Sequence, residues 1–253
     1  MALAAKTLDG WYAFHDVRYL DREGWEAVEP REREDILQEA NSFLTHCEDV
    51  ADAEEGGSAF FKVLGHKGDL MLFHLRPTLD HLHGLEEGFE ELKLARYLTP
   101  SSSFLSIVEL GQHSDEEDED EGQEEAELSE WVMSRLKPEL PQDMPYICFY
   151  PMNKRRGEEV NWFNLPAAER QELMMEHGLT GRKYAGKVKQ IITGAMGLDD
   201  WEWGVTLFAY DPLQFKKLVY EMRFDRVSAL YAEVGPFYVG SRVRPEELKA
   251  FLG

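Results

Sequence analysis

Residues 10–15 read GWYAFH and residues 145–150 read PYICFY, and the likeness of these two stretches decides the fold. Each mixes aromatic with small or branched apolar residues, a composition suited to a half-buried pleated surface. They lie 135 residues apart, and the offset recurs downstream. Pro30 opens PREREDILQEANSFL and Pro166 opens PAAERQELMMEHGL, 136 residues apart, each reading as proline in the first turn of an amphipathic helix. Residues 59–64 (AFFKVL) then match 187–192 (KVKQII) as a strand. Residues 68–73 (GDLMLF) match 203–208 (WGVTLF), and the prolines that follow, Pro77 and Pro212, are again 135 apart. Each half ends with a helix and a last strand, FLSIVELG and FYVGSRV.

The repeated unit is βαββαβ, the ferredoxin-like order. A single four-stranded unit leaves one sheet face bare, so two of them bury their sheets against each other. The expectation is an α+β protein made of two fused ferredoxin-like halves, with packed antiparallel sheets of the dimeric α+β barrel type. Residues 8–113 form the first half and residues 131–253 the second. Between them, residues 114–130 contain DEEDEDEGQEEAE (115–127), ten carboxylates in thirteen residues. Such a run repels itself and buries nothing, and it reads as a flexible, solubilising insertion.

The chain has 253 residues, 43% of them hydrophobic and 12% aromatic, enough for a sizeable core. A formal net charge of −22 disfavours nucleic acid and anionic lipid surfaces. Two cysteines, Cys47 and Cys148, provide no disulfide framework and suit a reducing compartment. No signal-peptide core is visible at the start, and no apolar run approaches the ~20 residues needed to span a bilayer. A cytoplasmic protein is the expectation.

Neither GxxxxGK[ST] nor GxGxxG occurs, and there is no CxxC pair. His81 and His83 stand at i, i+2 on a helix-like stretch, where side chains diverge, so they read as solvated polar residues. His177 precedes Gly178, a helix-ending signal. It reads either as a histidine capping a helix end or as a ligand to haem iron. Trp201 and Trp203 alternate with Glu202 and read as core residues of one strand face. Gln190 interrupts the apolar strand KVKQIITG with an amide that needs a partner or a ligand. Against the acidic background stand Lys154, Arg155, Arg156, Arg182, Lys183, Lys187 and Arg223. Cations gathered in one half point to a small anionic ligand.

YPMNKRR (150–156) after an apolar strand, EHGLTGRKYAGKVKQIITGAMGLDDWEWGV (176–205) and EMRFDRVSALYAEVGPFYVG (221–240) together resemble the chlorite-dismutase-like family. Its coproheme decarboxylase branch, the hydrogen-peroxide-dependent haem synthases, is the most similar. The likeness is dense over residues 135–242 and continuous but weaker over 10–111, and the acidic run lies outside it. The resemblance implies a homopentamer with one haem site in each C-terminal half and none in the N-terminal half. It implies that the chain converts two propionates of iron coproporphyrin III to vinyl groups with hydrogen peroxide as oxidant, giving haem b. The tetrapyrrole is then both substrate and cofactor, and a transient contact with a ferrochelatase would deliver it. By motif, Tyr150 matches the catalytic tyrosine, His177 the proximal iron ligand and Gln190 the distal residue. Pro151, Met152, Asn153, Lys154 and Ser228 match substrate-contacting positions, Arg135 matches the arginine of an R-L-x-P pattern, and Arg223 is a further propionate partner. Chlorite dismutases carry an arginine on the distal side, so the uncharged Gln190 speaks against chlorite chemistry. The alternative is a haem-binding peroxidase or haem sensor of the same family without synthesis activity, for which Tyr150 would have no use.

Overall fold

The computed structural model describes residues 4–111 and 129–252, and the acidic run at 115–127 lies outside them. The first half comprises β1 (Thr7–Leu20), α1 (Arg22–Glu26), α2 (Pro30–Glu48), β2 (Gly57–Val63), β3 (Leu70–Arg76), α3 (Leu79–Glu90) and β4 (Leu98–Gly111). After α4 (Glu130–Leu136), the second half comprises β5 (Tyr146–Lys154), α5 (Ala167–Arg182), β6 (Val188–Gly194), β7 (Trp203–Ala209), α6 (Leu213–Met222), α7 (Arg226–Tyr231), β8 (Ala232–Val234) and β9 (Tyr238–Val243). A last short helix, α8 (Leu248–Leu252), returns to pack against α2 of the first half.

Both halves have the ferredoxin-like strand order. β1 lies between β3 and β4 with β2 beyond β3, and β5 lies between β7 and β9 with β6 beyond β7. The edges that each half would leave open pair with one another. β2 joins β9 at Phe60↔Val243, and β4 joins β6 at Ile107↔Gly194. With β5 paired to β7, the eight strands close into a barrel, and β8 extends one rim of it at Met152↔Val234. Among the described residues, closure pairs the facing edges of the two halves, which protects them from edge-to-edge association.

Strand alternation then sorts the side chains. Trp11, Ala13 and Val17 of β1 and Ile147 and Phe149 of β5 fill the barrel. The first half covers its outer face with α2, α3 and α8 through Phe60, Leu70 and Leu72. On the outer face of the second half, Cys148, Val205, Leu207 and Ala209 meet Phe215 and Leu218 of α6. A separate cluster, Trp162, Leu173, Val227 and Tyr231, joins α5 to α7.

His15 sits inside the barrel, fully buried between the rings of Phe73 (4.2 Å) and Phe149 (3.9 Å), with Nε2 2.9 Å from Thr206 Oγ1. Burial lowers its pKa to about 3, so it is neutral in the folded protein. The unfolded chain binds a proton there below the ordinary histidine value and the folded chain does not, so this site costs stability as the pH falls from about 6.5 towards 3. His15→Phe should flatten the acid limb of unfolding free energy against pH by about one proton, or about 1.4 kcal/mol per pH unit. An unchanged slope in chemical denaturation would show that His15 already carries its proton when folded.

Candidate active site

The outer face of β5 carries Tyr150, Met152 and Lys154, because the intervening residues point the other way. Tyr150 pairs across to Val205 of β7, and its half-buried ring lies 4.6 Å from that of Phe237. Burial and the neighbouring Cys148 push the phenol pKa upward, partly offset by the Arg223 guanidinium. The phenol is therefore protonated, and it makes no hydrogen bond to any described residue. Arg223 caps the end of α6 and is exposed, within electrostatic reach of that phenol.

Lys154 ends the strand. It is 8% exposed, and its Nζ lies 4.7 Å from the centroid of the Trp162 ring. No carboxylate of a described residue lies within ion-pair distance. Burial lowers its pKa to about 8, and Asp225 acts in the opposite direction. A buried ammonium without a paired anion is costly, and an anionic ligand removes that cost.

Gln190 lies on β6 opposite Leu207, between Val188 and Ile192, which pack with Tyr150 and Met152. Its amide makes no hydrogen bond to a described residue, so it stands on the same sheet face with donor and acceptor available.

His177 comes from the helix side. The sequence suggested that α5 stops at Gly178, and this is corrected: α5 runs on to Arg182 and its cap is Lys183. The helix continues because its last turn packs on α6, where Met222 Cε lies 3.3 Å from the place a Cβ would take at Gly181. That packing outweighs the ~1 kcal/mol a mid-helix glycine costs. His177 thus belongs to the body of the helix and is not its terminal cap. Its Nδ1 lies 3.0 Å from Asp225 Oδ2, and since a carboxylate only accepts, Nδ1 carries the proton. The Nε2 lone pair is left for a ligand, the arrangement in which metal-binding histidines are commonly held.

Asp225 is buried and caps α7. Its Oδ1 accepts from Ser228 N at 2.8 Å, and its Oδ2 also accepts from Ser228 Oγ at 3.2 Å. Ser228 therefore supports the carboxylate that orients His177. Asp225 was not singled out in the sequence, although Asp225-Arg-Val-Ser228 has the N-cap spacing that would have marked it. Its partner is 48 residues away.

Pro151 and Asn153 alternate with the outward residues and face the other side. Asn153 Oδ1 accepts from Glu202 N at 2.8 Å, and Glu202 Oε2 accepts from Lys154 N at 3.2 Å. Glu202, buried and unflagged by the sequence, thus fixes the strand end that carries Lys154. β7 begins only at Trp203, so Trp201 precedes the strand and packs against the inner cluster instead of sharing a strand face with Trp203. Arg135 is exposed on α4, which packs on β1 and β4. No contact joins Arg135 to Tyr150, His177 or Lys154 among the described residues. The chain beyond α4 does pass β6, where Lys189 Nζ donates to Glu139 O.

Among the described residues, no group of three His, Cys, Asp or Glu side chains could hold a bare metal ion. One histidine with a free Nε2 suits a metal that brings its other ligands with it, as in a macrocycle. The nearby cations suit a macrocycle that carries carboxylates.

A closed ferredoxin-like barrel with this helix-borne histidine defines the class. The family model described as chlorite dismutase matches residues 33–243, and the chain belongs to that family. Over 247 residues it is 49% identical to the coproheme decarboxylase of Thermus thermophilus, covering 98% of this chain and 96% of that one. A solved heme-binding protein, also from Thermus thermophilus, superposes with a TM-score of 0.91 at 47% identity, covering 100% of this chain and 99% of that one. A protein of Natronomonas pharaonis named for heme binding is 48% identical over 248 residues. The match takes in 97% of this chain but only 41% of that longer protein.

Proposed function

We propose that the chain is a coproheme decarboxylase, an oxidoreductase that removes two propionate carboxyls of iron coproporphyrin III to give haem b. The observation that carries this reading is one outer sheet face with a protonated phenol, Tyr150, and an unpaired buried ammonium, Lys154. Opposite them stands a histidine whose Nδ1 is tied to Asp225. A haem-binding peroxidase would need the histidine but not a phenol beside a carboxylate-binding cation.

His177 Nε2 would hold the iron, Lys154 and Arg223 would receive propionates, and Gln190 would face the tetrapyrrole from the sheet. Residues 131–253 carry this site, and residues 8–113 do not. Contacts from Pro151 and Asn153 would be backbone contacts, and Arg135 would act only through the chain that passes β6. With hydrogen peroxide, the bound iron supplies two oxidising equivalents for each propionate. Tyr150 would give up its O–H hydrogen to the first equivalent, and the phenoxyl oxygen would take a hydrogen atom from the propionate β-carbon. The bond to the carboxyl carbon would then break to leave the vinyl group and carbon dioxide, the remaining electron being taken up by the second equivalent. Per group, one propionate, one peroxide and one proton give one vinyl, one carbon dioxide and two waters. The chain contributes orientation, neutralisation of carboxylates and one oxidisable phenol. On the same reading it works in the cytoplasm as a homopentamer.

Titration with iron coproporphyrin III should shift the Soret band and saturate at one tetrapyrrole per chain. Absence of saturable binding would overturn the proposal.

The affinity should also depend on pH. The Lys154 ammonium is lost above about pH 8, so tetrapyrrole affinity should fall by up to tenfold per pH unit beyond that point. Lys154→Met should bind more weakly at neutral pH and lose this alkaline limb. An alkaline limb that survives in Lys154→Met would assign it to another group.

A further inference from the structure

Tyr150 makes no hydrogen bond to a described residue, so packing sets where its ring points. The ring beside it, Phe237, is carried by residues 235–237, which join β8 to β9 and are pinned at both ends. Gly235 N donates to Pro151 O at 2.9 Å. A Cβ at Gly235 would lie 2.8 Å from Pro151 Cγ and 2.9 Å from Trp201 Cζ2, so glycine is what allows the chain to approach this closely. At the other end, Phe237 O accepts a hydrogen bond of 2.7 Å from Lys67 Nζ.

Lys67 belongs to the first half of the chain, 170 residues from Phe237 in sequence. It sits in the turn between β2 and β3 (64–69), and the backbone of that turn is tied down around it. Tyr19 Oη donates to His66 O, Ser101 Oγ donates to Lys67 O, and Leu64 N donates to Val239 O of β9. Lys67 Nζ also lies 5.8 Å from the centroid of the Tyr238 ring. Its charge reaches the outer face of β5. Burial pushes the Cys148 thiol up to about 12, and the Lys67 ammonium pulls it the other way. Cys148 and Tyr150 are neighbours on that face. A half-buried ammonium on a fixed base, donating to one backbone carbonyl, makes the stronger, charge-assisted kind of hydrogen bond.

We propose that Lys67 is a positioning residue for the reaction: by holding Phe237 O it fixes the Phe237 ring, and through that ring the orientation of the Tyr150 phenol toward the propionate. This rests on the proposed function. The first half, which carries none of the site residues named above, then sets the geometry of hydrogen-atom transfer in the second. Such a transfer needs the phenoxyl oxygen against one particular carbon, and a displacement of about 1 Å can cost about 10²-fold in rate.

The test uses Lys67→Met, which keeps the stem and loses the ammonium, and Lys67→Arg, which restores a cationic donor. The first readout is fluorine NMR of protein labelled with meta-fluorotyrosine, before any tetrapyrrole is added. The Tyr150 resonance is identified by its loss in Tyr150→Phe. Lys67→Met should shift and broaden that resonance, and Lys67→Arg should return it. After loading with iron coproporphyrin III and adding peroxide, Lys67→Met should lose about tenfold in kcat with KM unchanged, and Lys67→Arg should recover to within about twofold. Phe237→Leu should show a similar loss. Lys67→Met/Phe237→Leu should be no slower than Phe237→Leu alone, because the lysine then has no ring to hold. A Tyr150 resonance or a kcat that stays at the wild-type value in Lys67→Met would overturn the proposal. So would additive losses in the double variant, which would assign the effect to the charge of Lys67, or a raised KM alone, which would make Lys67 a substrate contact. Failure of the functional reading would appear separately, as a wild type that releases no carbon dioxide, while the fluorine resonance would still report whether Lys67 holds the phenol.

Discussion

Tyr150→Phe should bind iron coproporphyrin III and release almost no carbon dioxide when peroxide is added. The substitution keeps the ring, its 4.6 Å contact with Phe237 and nearly all the volume, so the outer face of β5 packs as before. Only the O–H is lost. If that hydroxyl donates to a propionate, binding weakens by about 1–3 kcal/mol, the range for a hydrogen bond to a charged group. Turnover depends on the O–H in a different way, because phenylalanine has no comparably weak bond to give up. The rate should fall by about 10²–10⁴-fold or more, the scale on which a positioned proton-transfer group contributes. The loss should appear in kcat with KM little changed, since the residue acts in the chemistry more than in holding the substrate. Lys154→Met should show the reverse, a raised KM with residual turnover. Stopped-flow spectra and carbon dioxide release measure both. A Tyr150→Phe protein that makes haem b at the wild-type rate would move the chemistry to another residue.

His177→Ala should have the second large effect. It removes the histidine that the site offers on the helix side and leaves the Asp225 carboxylate with its two Ser228 contacts. Losing the Nδ1 partner of a buried carboxylate costs about 1–3 kcal/mol of folding stability, which a chain with this core tolerates. α5 itself should persist, because it continues through Gly178 to Arg182 and is anchored on α6. Tetrapyrrole uptake should survive in part through the carboxylate contacts, while the iron–histidine stretch disappears from the resonance Raman spectrum of the ferrous complex. Asp225→Asn should keep that stretch but shift it to lower frequency, because a neutral amide makes the imidazole a weaker donor. An unchanged stretch in His177→Ala would assign iron ligation elsewhere.

The duplicated fold could be read from the chain because each half repeats the same local signals at a fixed offset: an aromatic strand, a proline-led helix, two strands and a closing proline. The barrel seams were not legible. Nothing in Phe60 or Val243 alone says that they face each other, since edge pairing depends on where the whole half presents its free strand. β8 is three residues long and exists because α7 delivers it to the rim beside Met152 and Lys154. The site divides in the same way. Tyr150, Met152 and Lys154 could be placed together by strand alternation, and the structure keeps them on one face. Asp225 and Glu202 were missed because their roles lie in contacts with residues 48 positions away in sequence. Gly178 misled because the local rule for helix ends omits the packing of Gly181 against Met222, which holds the helix together beyond it.

The central claim is tested most directly by adding hydrogen peroxide to the wild-type complex with iron coproporphyrin III and taking the mass spectrum of the extracted pigment. The account predicts that two of the four propionates become vinyl groups, with carbon dioxide released in step and haem b as the end product. A pigment that keeps all four carboxyls, or that bleaches without passing through haem b, would contradict it.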